Sequence, residues 1–342
     1  MTGPDSAAAR APTLRARLII ATAIALVGAY LIHVEYGRLP NFHTDFGMAW
    51  FGASALANGD NPYSLIGPGR AFDYGWPLIY PATALVAVMP LMALSEHAAA
   101  IIFVAISTFL LAFGVTRNGW HLLPLFVTEP YANSARLGQW SILLTAFLFF
   151  PWVGLVLAAK PQTAIPLLLA TQSRKALVFA LIGGVVLTGI SLALFPGWPL
   201  VWIEGVRNAR FMDPPITRFG GFLVLLALLR WRRPEAWLIV ALACMPQAWG
   251  WYNTLPLFTI PATWRESVAM AVVATAGAWI AGSSLHPVAS LAALYDWIGM
   301  LIVFSVYLPA TVLVLRRPNS GPSPAWLRLL VQRDRSPNVN QG

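Results

Sequence analysis

The chain has 342 residues, of which 58% are hydrophobic, with only 22 Lys plus Arg and 13 Asp plus Glu. A soluble domain carries roughly a quarter charged residues; a tenth excludes a water-soluble enzyme, a disordered protein and a coiled coil. The net charge of +9 does not point to nucleic acid, because a phosphate-binding patch has to be clustered and solvent-facing, whereas here the arginines sit beside apolar runs.

Uncharged runs of membrane-spanning length recur over 74–95, 98–116, 137–159, 176–203, 236–264, 267–295 and 297–315. About 20 apolar residues cross the hydrocarbon as a helix, and unbroken runs exclude the alternating strands of a barrel. The expected fold is therefore all-α, a polytopic transmembrane helix bundle with about eight secure crossings and up to twelve.

In chain order, residues 1–17 form a basic arm with Arg10, Arg15 and Arg17, and Leu18–Val34 follows as a retained first helix. The segment 35–79 is polar and Gly-, Pro- and aromatic-rich, and is expected to lie outside the cell. Within it, Asp45–Ala57 has helical length, with His43 or Thr44 as N-cap and Asn58-Gly59 as its stop. An amphipathic helix along the outer interface would fit there.

Counting crossings from the Lys and Arg positions takes Tyr80–Ser95 inward, His97–Val115 outward and Trp120–Ser134 back. Gln139–Ala158 goes out, Pro161–Thr171 comes in and Ala176–Phe195 goes out to a second outer loop, 196–218. Phe219–Trp231, Ala236–Gly250, Thr254–Trp264, Ser267–Gly282 and Leu294–Leu315 complete the count. Both termini are then cytoplasmic, and the domain 18–315 is followed by a tail, 316–342, expected to be disordered and drawn to anionic lipid heads. Most basic clusters fall inside, as the positive-inside rule requires; Arg117 is the exception. Segments 161–171, 219–231 and 254–264 are short for a 30 Å core and read as half-helices or re-entrant pieces.

Several residues could carry chemistry. Asp45 is either a general base or a carboxylate favoured by a helix N-terminus. Asp60-Asn61-Pro62-Tyr63 reads as a turn. Glu129, Arg136, Gln139 and Lys160 are polar groups in or beside apolar runs, where charge is expensive; Glu129 pairing with Arg136 or Arg117 is the plain account of the first two. Lys160 holds a lipid-linked phosphate or snorkels. Arg207, Arg210 and Arg218 stand on the outer face, suited to phosphate or to ion pairs with Glu204 and Asp213. Gln247, Trp249, Trp251, Tyr252 and Asn253 stack on a sugar or form an interface belt. His286 is a proton carrier or a loop residue, and Cys244 is expected to be a packed apolar residue. No P-loop, HExxH or GxSxG motif occurs, and no compact cluster of carboxylates and histidines suggests a metal.

The order of these features resembles the polyprenol-phosphate-dependent glycosyltransferases of family 87, which have the GT-C fold. The matching elements are Asp45-Phe46 after the first helix, Gly59-Asp60-Asn61-Pro62-Tyr63, Tyr80-Pro81, Gly138-Gln139 and Ala158-Ala159-Lys160-Pro161. They span about residues 18–175. The resemblance implies a bacterial plasma-membrane enzyme with an extracytoplasmic site, moving a sugar, mannose first among candidates, from a polyprenyl-phosphate donor to a lipid or glycan acceptor. No cofactor or metal is implied, nor any nucleic-acid partner. Asp45 maps onto the base, Lys160, Arg207 and Arg210 onto donor-phosphate contacts, and Tyr63, Tyr80, Gln139, Trp249, Trp251 and His286 are candidates for holding substrate. The sequence departs from the family in Tyr80-Pro81-Ala82, where Tyr-Pro-Pro is usual, and in the short spacer between Gln139 and Lys160. A flippase or transporter of lipid-linked sugars, or a non-catalytic envelope-assembly relative, are the competing readings.

Overall fold

A computed structural model describes residues 12–38, 43–208, 213–246, 250–283, 290–321 and 323–328. The described chain is all-helical; its one β-bridge joins Ile66 to Phe72. The first half carries α1 (Leu14–Arg38), α2 (Asp45–Ala57), α3 (Pro62–Leu65), α4 (Ala82–Val88), α5 (Glu96–Val115), α6 (Glu129–Leu137) and α7 (Trp140–Thr145). The second carries α8 (Pro161–Ala170), α9 (Arg174–Leu194), α10 (Trp198–Asn208), α11 (Pro234–Cys244), α12 (Trp264–Gly282), α13 (Leu291–Ile302) and α14 (Leu308–Leu315). Long 3₁₀ runs occupy Pro151–Ala159, Gly221–Arg230 and Trp251–Thr259.

Among the described residues, four helices are long and apolar enough to cross a membrane: Leu14–Arg38, Glu96–Asn118, Arg174–Leu194 and Ala293–Leu315. Their outward surface is hydrocarbon. On α9, Val178, Leu181, Val185 and Val186 are all exposed, an arrangement stable only where lipid replaces water. This is a multi-pass membrane helix bundle.

The antiparallel pair α1 and α5 fixes its two ends. At one, Arg17 Nη2 donates to the Phe113 carbonyl at 2.6 Å. At the other, His33 Nδ1 lies 3.2 Å from His97 Nε2, and the Tyr36 hydroxyl donates to Glu96 Oε1 at 2.8 Å. Helix α5 thus begins at the end where α1 finishes. The expected crossing over Tyr80–Ser95 does not occur: α4 and the following turn Met89–Leu91 make one short element that stays at that end. With that crossing removed, Arg117 falls at the same end as Arg17, while Arg136, two residues before Gly138, falls toward the relay end, paired with Glu129.

The short segments are half-length hairpins. From Gln139 the chain descends through α7 to Phe149 and Phe150, where Phe150 stacks on Phe113 with centroids 6.4 Å apart; Pro151–Ala159 then climbs back to Lys160. Helix α8 descends from Lys160 to Leu169, whose carbonyl accepts from Trp326 Nε1 at 2.9 Å. Helix α11 rises from the arginine-rich end, and Trp251–Thr259 returns to Ile260, whose carbonyl accepts from Arg317 Nη2 at 2.7 Å. A ten-residue α-helix covers about 15 Å and nine 3₁₀ residues about 18 Å, roughly half of a 30 Å hydrocarbon core. Expected single crossings over Gln139–Ala158 and Ala236–Gly250 are replaced by this geometry, because buried turns can be satisfied inside protein.

Three further expectations change. Helix α2 has the foreseen bounds, with Thr44 Oγ1 accepting from Gly47 N at 3.0 Å, but Phe46, Met48, Ala49, Ala53 and Leu56 are all buried, so it is enclosed rather than laid on an interface. Helix α10 is the more exposed one, with Leu200, Ile203, Glu204 and Arg207 all exposed along one face. In the tail, the described residues 323–328 are docked: Ala325 N donates to the Thr171 carbonyl at 2.8 Å. Cys244 is exposed rather than packed. The arm residues 1–11 and the tail from 329 lie outside the described residues.

Candidate functional site

Three turns meet at one level of the bundle: Gly138-Gln139 between α6 and α7, Lys160 at the head of α8, and Gly250–Tyr252 ahead of the last 3₁₀ run. The first needs glycine. Gly138 has φ +63°, and a Cβ there would stand 2.6 Å from Phe46 Cβ. The third needs it because the Tyr252 ring folds back to within 2.1 Å of where a Gly250 Cβ would lie. Against these tips the N-terminus of α2 presents Asp45.

A polar relay results. Lys160 Nζ donates to Gln139 Oε1 at 2.9 Å, and Gln139 Nε2 donates to Asp45 Oδ2. The Tyr74 hydroxyl donates to the other carboxylate oxygen, Asp45 Oδ1. The Tyr80 hydroxyl adds a second donor to Gln139 Oε1 at 3.3 Å. Lys160 Nζ also lies 4.6 Å from the Tyr252 ring centroid, within cation–π range.

The orientation of the amide follows from its ends. An ammonium only donates and a carboxylate only accepts; Gln139 must therefore turn its oxygen to Lys160 and its nitrogen to Asp45. Lys160, Gln139 and Tyr80 are buried, whereas Asp45, Tyr74 and Tyr252 are half-buried above them. Enclosure raises the Asp45 carboxyl above its usual pKa, with the Tyr74 hydrogen bond and the Lys160 charge opposing the rise. A base poised this way takes a proton more readily than an ordinary aspartate.

Supporting contacts hold the relay. Asn61 caps α3 by accepting from Tyr63 N at 3.0 Å, and the Tyr63 hydroxyl donates to the Tyr80 carbonyl at 3.0 Å. Tyr63 thus positions the backbone of Tyr80. Thr83 Oγ1 donates to the Ala158 carbonyl at 2.6 Å, tying α4 to the tip that carries Lys160. Helix α10 lies over the strand of chain before Tyr80, with Trp202 Nε1 donating to the Ile79 carbonyl at 2.8 Å.

Of the residues singled out in the sequence, Asp45, Tyr80, Gln139 and Lys160 are brought together, with Tyr63 one bond behind. Trp251 is not part of the cluster: it is buried against α12, its ring 3.2 Å from where a Cβ on Gly277 would lie. Tyr252 faces the relay instead, since neighbours in a 3₁₀ helix point about 120° apart. Arg207 is exposed in the last turn of α10 and makes no contact with the relay. Arg210, Gln247, Trp249 and His286 lie outside the described residues. Arg218 is engaged by Asp213 at 3.3 Å and by Asp296, and Glu129 by Arg136 at 2.5 Å. Tyr74 was not foreseen; nothing local to Asp73-Tyr74-Gly75 marks it, because its partner is 29 residues away.

The described residues hold no group of three or more His, Cys, Asp or Glu side chains suited to a metal. No protein-family profile, curated protein or solved structure matches this chain.

Proposed function

We propose that the protein is a membrane glycosyltransferase that moves a sugar, mannose by preference, from a polyprenyl-phosphate donor to a lipid or glycan acceptor. The observation that supports this reading is the convergence of Asp45, Tyr80, Gln139 and Lys160, residues up to 115 positions apart, in one acid–amide–ammonium relay. In this reading Asp45 takes the proton of the acceptor hydroxyl, and the oxygen so activated attacks the anomeric carbon. The bond to the donor phosphate breaks, and the phosphate leaves with its charge compensated by Lys160. Tyr74 and Gln139 hold the carboxylate in the orientation for proton transfer.

By the positive-inside rule, the arginine-rich end is cytoplasmic and the relay opens to the outer face of a bacterial plasma membrane. The long spacer expected of the family between Gln139 and Lys160 is replaced by one hairpin, whose two ends return to the same level. Its shortness therefore does not separate the two residues.

The test is mass spectrometry of envelope glycolipids from a deletion strain complemented with wild type or with Asp45→Asn at matched membrane abundance. A hexose or pentose lost in the deletion and the Asn strain, and restored by wild type, is the expected outcome. Full restoration by Asp45→Asn sinks the base role and favours a carrier or a scaffold.

A further inference from the structure

A groove of about 350 Å³ runs between α12 and α14, lined by Ala269 and Val273 on one side and Pro309 and Val312 on the other, with Phe304 at its head. It opens sideways into the apolar belt: Val273, Phe304 and Val312 are each more than 40% exposed. Its head lies in the π-helical turn Val303–Tyr307, where one extra residue per turn widens the helix.

The foot of the groove is basic. On α14 the lining positions Pro309 and Val312 continue, at helical spacing, to Arg316; on α12, Ala269 leads back one turn to Arg265. Both arginines are exposed, and neither side chain has an ion-pair or hydrogen-bond partner among the described residues. That sets them apart from Arg317, which holds Glu235 and Glu266 at 3.3 Å each. Glu266, the one acidic residue in the lining, is thus already neutralised. Trp264 is 52% exposed at the same level, as expected of an aromatic at a headgroup boundary.

We propose that this groove is a binding site for one anionic phospholipid of the leaflet at the basic end, with an acyl chain along Ala269, Val273 and Val312 and the phosphate between Arg265 and Arg316. Charge complementarity carries the choice of occupant. A zwitterionic lipid would fill the groove equally well, but its headgroup cation would face two exposed, unpaired guanidinium groups. The site is on the opposite end of the bundle from the Asp45 relay and does not depend on the proposed reaction.

The experiment is native mass spectrometry of the purified full chain after exchange into mixed vesicles of equal phosphatidylglycerol and phosphatidylcholine. Wild type is expected to retain phosphatidylglycerol in preference. The double variant Arg265→Gln/Arg316→Gln is expected to lose that preference by roughly thirtyfold, since each of the two basic residues near a lipid surface contributes about 1 kcal/mol. Val273→Trp, which fills the groove from the lipid side, is expected to release the retained lipid of either kind. Thermal unfolding in detergent, unchanged in all three proteins, establishes that the variants are folded; if Val273→Trp unfolds early, Val312→Phe replaces it. Equal retention of the two lipids by wild type, an unaltered preference in the double variant, or undiminished retention with the groove filled each overturns the proposal. Selective retention of an added polyprenyl phosphate over phosphatidylglycerol overturns it as well.

Discussion

The two ends of the bundle handle positive charge by different means. At the basic end, arginines cap helices. Arg17 donates to the Phe113 carbonyl, Arg230 to those of Leu315 and Arg317, Arg317 to that of Ile260 and Arg328 to that of Gln172. These are the last carbonyls of segments arriving at that end, groups a helix leaves unsatisfied and a cation stabilises. At the relay, the single ammonium of Lys160 is buried at a helix N-terminus, where the dipole opposes it. Its compensation is a carboxylate reached through one amide. The contrast teaches that partly exposed charge at an end of the bundle can be tied to whatever backbone is at hand, whereas an enclosed ammonium needs a dedicated counter-charge.

That comparison can be broken from the relay side first. Asp45→Asn removes the proposed base and is expected to lower the rate of sugar transfer by roughly 10²–10⁴, the range for a positioned acid or base, measured on membranes of matched abundance. The Asn amide can still accept from Gln139 and donate to the Tyr74 hydroxyl oxygen, so the loss is expected in rate rather than in folding.

Lys160→Met comes next. Leaving the half-buried Asp45 carboxylate without its counter-charge is expected to cost about 1–3 kcal/mol, read as a lower thermal midpoint in detergent. Adding Asp45→Asn to Lys160→Met should recover much of that loss; strictly additive effects would show that the two groups are not coupled.

Gly138→Ala tests the tip itself. The residue would hold φ +63° with a Cβ against Phe46, and a cost of about 1–3 kcal/mol is expected, with activity falling because Asp45 adjoins Phe46.

The pH dependence sharpens the electrostatics. In the proposed reaction Asp45 acts ionised, and activity is expected to be lost as pH falls through its raised pKa, so the acid limb of the rate profile in proteoliposomes is expected above the ordinary aspartate range. Tyr74→Phe removes a donor that favours the carboxylate and should move the limb further up. A limb that stays in place, or moves down, would separate Tyr74 from the base.

The smallest effect on activity is expected at the opposite end. Arg230→Ala removes hydrogen bonds to the carbonyls of Leu315 and Arg317 and should cost about 1–3 kcal/mol of stability, while transfer per folded molecule is unchanged.

Much of the candidate site was legible in advance. Gln139 and Lys160 stood out as polar groups in or beside apolar runs, where they are costly without a role, and Asp45 as a carboxylate after the first helix, whereas Tyr80 was a candidate only through the family resemblance. Tyr74 did not, because an aromatic in a loop has many uses, and for Tyr252 the sequence left sugar stacking and an interface belt both open, since its facing is set by partners far along the chain.

Composition alone determined that the chain belongs in lipid. Local chemistry determined where α2 starts and stops, since Thr44 can cap it and Asn58-Gly59 can end it. Only the tertiary structure decided that the short apolar segments turn back inside the bundle, that α4 stays at one end, and that Tyr252 rather than Trp251 faces the relay. The physical reason is that hydropathy measures how apolar a segment is, not whether lipid or protein surrounds it. A turn that would be forbidden against lipid is stable when its polar groups find one another inside the bundle.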